Sequence, residues 1–285
     1  MTLIDGKSIS AKVKEEIKSV ASNLAAKGVE PALAVILVGE DAASKTYVAS
    51  KEKACAACGI RSVAHRLSSD VSEAALLELI ENLNEDESID GILVQLPLPK
   101  HIDTNKILEK ISPQKDVDGF SAINVGKLTS GLSDGFVPCT PLGVMRLLEE
   151  YGVQIAGKNA VVLGRSNIVG KPMASLLLNA DATVTIAHSK TKDLKQLCAD
   201  ADILVAAVGK AHFVGADMVK QGAVVIDVGI NRGEDGKLRG DVDFEAVAPK
   251  CSFITPVPGG VGPMTIAMLL SNTIKSAKNR LRQRV

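Results

Sequence analysis

Tyr47 and Lys51 stand four residues apart in the stretch KTYVASKEK. On a helix that spacing puts both side chains on one face. An ammonium beside a phenol favours the ionised oxygen, so such a pair can pass a proton while a hydride moves. The same spacing also suits a partly buried tyrosine beside a solvated lysine. Two further features point to this half of the chain. DGILVQLPLP places Gln95 at the end of an apolar run followed by two prolines, and ligands of open α/β sheets bind beyond the carboxyl ends of strands. KDVDGF sets Asp116 and Asp118 in a turn, where a carboxylate can take a ligand or simply serve turn chemistry.

A second constellation lies in KNAVVLGRSNIVGKP, a strand-like run entering a glycine-bracketed turn. In a dinucleotide fold this turn uses glycines so that backbone can approach the pyrophosphate, which then faces a helix N-terminus. Gly164 and Gly170 bracket the turn, Ser166 takes the second-glycine place, and the turn is one residue longer than G-x-G-x-x-G. As a pattern the match is weak; a strand before it and a helix after it strengthen it. An NAD site usually carries an acid at the end of the second strand. Here TVTIAHSKTK offers His188, Ser189 and Lys190, and Arg165 lies in the glycine turn. An arginine fork and a hydroxyl suit the 2′-phosphate of NADP, which a carboxylate repels. In the short-chain dehydrogenases a Tyr-x-x-x-Lys pair follows the glycine turn inside the same nucleotide fold. Tyr47 and Lys51 precede the turn by more than a hundred residues, so that chemistry is set aside.

These groups need strands and helices to hold them. Ile9, Val13, Ile17, Val20 and Leu24 recur at helical spacing, and PALAVILVG comes next as a continuous apolar run of strand length. A helix over about 42–58, a strand near 60–67, a helix across AALLELIENL, the strand DGILVQLPLP and a helix capped by Asp103 continue the alternation. Residues 112–139 read as an irregular loop region between lobes. Thr140-Pro141 then reads as N-cap and first helical residue, with Gly152 closing the helix. KNAVVLG, ATVTIAHS, DILVAAVG and AVVIDVG form a second strand series, and a helix runs from Thr265 onward. Continuous apolar strands separated by helices predict an α/β chain of two lobes with mostly parallel sheets. The expected domains are residues 1–138, an N-terminal catalytic domain, and 139–264, a Rossmann-like nucleotide domain. The helix from 265 to 285 is expected to pack back on the first.

Composition sets the class of partner. Of 285 residues 46% are hydrophobic, enough for a sizeable core, and 33 basic side chains balance 33 acidic ones. With no long run of one charge there is no electrostatic case for nucleic acid or an anionic membrane. The N-terminal MTLIDGKSIS lacks a signal-peptide core, so the expected compartment is the cytoplasm. Five cysteines scattered over the chain do not resemble a disulfide framework. Cys55 and Cys58 match C-x-x-C, but late in a helical pattern and without further zinc ligands nearby. They read as small buried side chains, and no metal is expected.

In this order, YVASK, GILVQLPLP, SPQKDVDGF, VPCTP, VVLGRSNIVGKP and ITPVPGGVGPMT resemble the bifunctional methylenetetrahydrofolate dehydrogenase/cyclohydrolases. The similarity spans almost the whole chain. It implies NADP-dependent oxidation of 5,10-methylenetetrahydrofolate, then hydrolysis of the methenyl product to 10-formyltetrahydrofolate, by a homodimer with each active site in the cleft between lobes. By position it makes Lys51 the catalytic lysine, Gln95 its support, Tyr47 the aromatic beside the folate and Asp118 the acid that holds the pterin. In ITPVPGGVGPMT, Pro258, Gly259 and Gly260 end the cofactor sheet, where absent side chains would let folate and nicotinamide approach the backbone, or where they form a plain turn before the last helix. The resemblance gives the cofactor phosphates to Arg165, Ser166 and Ser189, in and beside the turn that Gly164 opens as a cofactor-binding glycine, and the nicotinamide half to Ile230. Each role is chemically sensible. One carboxylate can accept from a pterin's amine and ring N–H together. Lysine, with an ordinary pKa of about 10.4, serves as a base only where its surroundings disfavour the charge.

Overall fold

A computed structural model describes residues 1–283. In chain order it contains β1 (Thr2–Leu3), α1 (Gly6–Ala25), β2 (Ala32–Val38), α2 (Ala42–Ala57), β3 (Arg61–Leu67), α3 (Glu73–Glu85), β4 (Gly91–Val94), α4 (Thr104–Lys110) and α5 (Ala122–Thr129). Then come α6 (Cys139–Glu150), β5 (Asn159–Leu163), α7 (Gly170–Asn179), β6 (Thr183–Ala187), α8 (Leu194–Ala199), β7 (Ile203–Ala206), β8 (Val224–Asp227), β9 (Asn231–Arg232), β10 (Leu238–Arg239), α9 (Phe244–Val247), β11 (Phe253–Ile254) and α10 (Val261–Gln283). The chain divides into two units. One comprises Lys12–Cys139 with the stretch from Ile266 onward; the other comprises Met1–Ala11 with Thr140–Thr265.

The unit built on 12–139 holds a three-stranded parallel sheet in the order β3-β2-β4. All seven residues of central β2, ALAVILV, are buried, as a strand covered on both faces requires. Ile36, Ile92, Leu76, Ile80 and Ile107 pack on one side of it at 0% exposure, each such burial stabilising by about 1.5–3 kcal/mol. Asp41, Ser72 and Asp103 cap α2, α3 and α4 by accepting backbone N–H bonds, which satisfies donors the first helical turn leaves open. Within the stretch expected to be irregular, Ser121 caps α5 in the same way. Its eight residues, AINVGKLT, expose Ile123 and Val125 and carry an internal glycine, so no apolar stripe betrays the helix.

The end of α10 belongs to this unit. Asn272 Nδ2 donates to the carbonyls of Val117 and Val137 at 2.8 and 3.0 Å. Arg280 Nε donates to the buried carboxylate of Asp90 at 2.7 Å.

The unit built on 140–265 holds a six-stranded, wholly parallel sheet in the order β1-β11-β8-β7-β5-β6. Its first strand corrects the domain boundary expected from sequence. Residues 1–138 do not stay together, because Thr2 and Leu3 pair with Phe253 and Ile254, and the Ile4 N–H donates to the Ile254 carbonyl at 2.8 Å. A strand of two residues has no periodicity to read; its partner, some 250 residues away, creates it. Helix α6 begins at Cys139, slightly before the expected Thr140 cap, and the Thr140 hydroxyl instead lies 2.9 Å from that of Thr265. Among the described residues no helix is long and apolar enough to cross a membrane.

Candidate functional site

In the 12–139 unit the predicted residues converge. Helix α2 carries Tyr47 and Lys51 on one face, one turn apart. Gln95 stands immediately after β4. Lys51 Nζ donates to Gln95 Oε1 at 2.9 Å, and Gln95 Nε2 donates to the Leu96 carbonyl at 2.7 Å. The amide is thereby fixed with its oxygen toward the amine, as the need of a half-buried glutamine for partners anticipates. Tyr47 is 47% exposed, a ring face available to a flat ligand.

The two turn aspartates separate into different roles. Asp116 is buried and accepts from the N–H groups of Gly119, Phe120 and Ser121 and from Asn124 Nδ2, all between 2.8 and 3.2 Å. It builds the turn. Asp118 is part-buried, and burial pushes its carboxyl up to about 6 while the nearby Lys51 ammonium draws it down. Cys139, buried itself, offers its thiol to Asp118 Oδ1 at 3.5 Å and to the Val117 carbonyl at 3.4 Å. Burial, then the Asp118 charge, push that thiol well above its ordinary value. Sequence reasoning passed over Cys139 and Asn272, which hold the Asp118 turn from α6 and α10. The VPCTP segment marks the cysteine, but nothing local marks Asn272.

Cys55 and Cys58 are both buried. Burial pushes the Cys55 thiol up to about 12, the opposite of what a redox nucleophile needs.

In the 140–265 unit the remaining residues sit on loops leaving one edge of the sheet. Leu163 of β5 pairs with Ala187 of β6 and with Ala206 of β7, which pairs with Asp227 of β8. These four residues form one row at the carboxyl ends of parallel strands. Arg165 and Ser189 each lie two residues past that row on adjacent strands, and both are exposed. Gly164 has φ 129°, and a Cβ there would meet the Ala207 carbonyl oxygen at 2.2 Å. A Cβ on Gly170 would meet the Gly164 oxygen at 2.2 Å, so the helix packs on the strand only without side chains. The Ser166 hydroxyl accepts from the N–H groups of Val169 and Gly170 at 3.2 and 3.3 Å, leaving its own proton to donate outward. His188 Nδ1 accepts from the Lys190 N–H at 3.2 Å, which orders the β6 turn around Ser189.

Pro258, Gly259 and Gly260 come after β11 on the same edge. A Cβ on Gly260 would meet the Pro256 carbonyl oxygen at 2.5 Å, and one on Gly6 the Gly260 oxygen at 1.8 Å. Gly260 is thus needed for the packing of the chain on itself. Gly259 differs: its φ is 105°, with the nearest atom 4.0 Å from a Cβ, so the need here is for the left-handed backbone and the space beside it is open. Ile230, 46% exposed, has its Cδ1 3.5 Å from where a Gly262 Cβ would stand, beside this turn.

The glycine cradle, the free Ser166 proton and the Arg165–Ser189 pair fit a phosphorylated dinucleotide. The lysine, glutamine and aspartate of the other unit fit a ligand that carries N–H donors and exchanges protons.

Comparison with known proteins covers both units. The model described as "Tetrahydrofolate dehydrogenase/cyclohydrolase, catalytic domain" matches residues 4–118, and that described as "Tetrahydrofolate dehydrogenase/cyclohydrolase, NAD(P)-binding domain" matches residues 138–281. The bifunctional protein FolD of Campylobacter hominis is 72% identical over 283 residues, 99% of each chain. The crystal structure of the bifunctional enzyme FolD, methylenetetrahydrofolate dehydrogenase/cyclohydrolase, from Campylobacter jejuni superposes with a TM-score of 0.97 at 60% identity, covering 98% of this chain and 99% of that one. The Trypanosoma brucei methylenetetrahydrofolate dehydrogenase-cyclohydrolase, solved with NADP cofactor and inhibitor, gives 0.94 at 42% identity, covering 99% of both.

Proposed function

Because this chain belongs to the tetrahydrofolate dehydrogenase/cyclohydrolase family, we propose a division of chemical labour between the residues of its two units. The chain is a bifunctional enzyme. It oxidises 5,10-methylenetetrahydrofolate with NADP to the 5,10-methenyl form and hydrolyses that product to 10-formyltetrahydrofolate.

Asp118 takes the pterin, its ionised carboxylate accepting from the ring's amine and neighbouring N–H. The ring system lies against Tyr47, which brings the one-carbon bridge toward Lys51. The nicotinamide supplies the hydride acceptor when NADP is bound. Arg165, Ser166 and Ser189 hold its phosphates, Gly164 lets backbone approach them, and Ile230 with the Pro258–Gly260 turn lines the nicotinamide end. Hydride loss leaves a cationic methenyl carbon between two nitrogens. Water attacks that carbon and passes one proton to the amine of Lys51; the carbon–N5 bond then breaks as Lys51 hands that proton to N5, and the carbinol releases its second proton to solvent as the formyl C=O forms. The formyl group stays on N10. Gln95 orients the lysine throughout.

The Lys51–Gln95 hydrogen bond, with Asp118 close enough to feel the ammonium, carries this reading. NADPH formation from methylenetetrahydrofolate, and loss of methenyl absorbance without cofactor, test it; absence of both overturns it. The proposal extends to a cytoplasmic homodimer of one-carbon metabolism supplying purine biosynthesis. The five free, buried cysteines suit a reducing compartment, and sedimentation at micromolar concentration tests the dimer.

A further inference from the structure

Two buried carboxylates in the 140–265 unit have no part in the chemistry assigned to Lys51, Asp118 and the phosphate-binding loops. Asp227 ends β8 and Asp241 lies just past the β9–β10 hairpin, at 3% and 0% exposure. Their partners are almost entirely backbone N–H groups. Asp241 Oδ2 accepts from Val208 at 2.6 Å and Gly209 at 2.9 Å, and its Oδ1 from Lys210 at 2.8 Å and Asn231 Nδ2 at 2.9 Å. Three successive N–H groups of the β7 loop thus converge on one point, an arrangement that ordinarily receives an external anion. Here the chain fills it with its own carboxylate.

Asp227 in turn seats Asp241. Its Oδ1 accepts from the N–H groups of Gly229 and Asp241, each at 2.9 Å, and its Oδ2 from Val242 at 2.9 Å. The space is fully used. A Cβ on Gly229 would stand 2.3 Å from the Asp241 carboxyl, and one on Gly240 1.8 Å from Asp227 Oδ2. This knot touches the cofactor side at two places. Ala207, which begins the β7 loop, has its carbonyl against Gly164. Ile230 is held between Gly229, bonded to Asp227, and Asn231, bonded to Asp241.

We infer that Asp241 is a positioning residue for the dehydrogenase reaction, its carboxylate fixing the loops after β7 and β8 in the shape that receives the nicotinamide nucleotide. The inference rests on the proposed NADP site. A carboxylate is required because both oxygens accept two bonds each. An amide, in either orientation, turns an N–H₂ group against two N–H donors.

The test uses the whole enzyme and both its reactions. Asp241→Asn raises KM for NADP roughly tenfold or more, the loss expected when hydrogen bonds to a buried charge become repulsive. Methenyl hydrolysis, measured without cofactor in the same sample, reports on the 12–139 unit, so the ratio of dehydrogenase to hydrolysis falls with it. kcat at saturating NADP changes less than KM, a split that general unfolding does not produce. Asn231→Ala, which spares both carboxylates, shifts KM in the same direction by a smaller factor and decides the matter if Asp241→Asn does not fold. An unchanged KM for NADP, or equal loss of both activities, in whichever of these variants is folded overturns the inference. A wild-type protein that fails to reduce NADP overturns the functional reading instead.

Discussion

Lys51 Nζ and Gln95 Oε1 lie 2.9 Å apart, so the amide oxygen, with its nitrogen tied to Leu96, presents a fixed acceptor to a single amine. Lys51→Met removes that amine and keeps a chain of similar length. Hydrolysis of methenyltetrahydrofolate is expected to fall about 10²–10⁴-fold, the usual contribution of a positioned acid or base. Hydride transfer depends on orientation and is expected to fall much less. Single-turnover assays of both reactions on one preparation check this; parallel loss shows that Lys51 positions the folate and does not move protons.

Asp118 gives a pH dependence of definite sign. Burial raises its carboxyl from 3.8 to about 6 against the pull of Lys51. For stability, a raised folded-state value means a contribution present below 3.8 that is lost as pH rises through about 6. For substrate the direction is opposite, since only the ionised form accepts from two pterin donors. kcat/KM for methylenetetrahydrofolate is therefore expected to drop about tenfold per pH unit below that value, one proton being taken up per site. Asp118→Asn lowers kcat/KM at neutral pH and abolishes the limb. A profile flat down to pH 5 in the wild type excludes the carboxylate role.

Gly164→Ala tests the nucleotide turn. The new Cβ meets the Ala207 oxygen, 2.2 Å away, in a backbone at φ 129°. Both the strain and the overlap are costly, at about 1–3 kcal/mol each. Because the overlap falls at the start of the β7 loop, NADP affinity by calorimetry is expected to weaken at least tenfold while methenyl hydrolysis persists. Undiminished affinity shows that the turn does not receive the phosphates.

The alternating strands and helices are legible in the sequence because each buried strand is a continuous apolar run and Asp41, Ser72 and Asp103 cap helices by local chemistry. Lys51, Gln95 and Asp118 are legible by type and motif, and the structure adds that Lys51 bonds Gln95 and lies within electrostatic reach of Asp118. The rest depends on distance along the chain. β1 exists through pairing with Phe253 and Ile254. Asn272 reaches the Asp118 turn across 155 residues. Asp241 is an ordinary acid in a glycine-flanked stretch until folding brings Val208, Gly209 and Lys210 to it. A buried carboxylate satisfied by remote backbone leaves no spacing to detect.

The Asp90–Arg280 pair predicts how α10 is secured. Asp90, with its side chain 1% exposed, accepts from Arg280 Nε at 2.7 Å, from Nη2 at 2.9 Å and from the Ala32 N–H at 2.9 Å. Desolvation still wins: burial raises the Asp90 carboxyl above its ordinary value although Arg280 and Ala32 lower it. The guanidinium therefore offsets a charge that the interior disfavours. Arg280→Met strands that charge, and the variant is expected to lose about 3–5 kcal/mol at pH 8. With Arg280 gone the folded-state value climbs further, so protonation relieves the variant as pH falls through it, and the deficit relative to wild type shrinks by pH 5. Adding Asp90→Asn to Arg280→Met removes the stranded charge and recovers part of the loss at pH 8. Denaturant midpoints of the wild type, the single and the double variant at both pH values check this. A deficit independent of pH means that Arg280 acts through packing of its stem, not through the charge on Asp90.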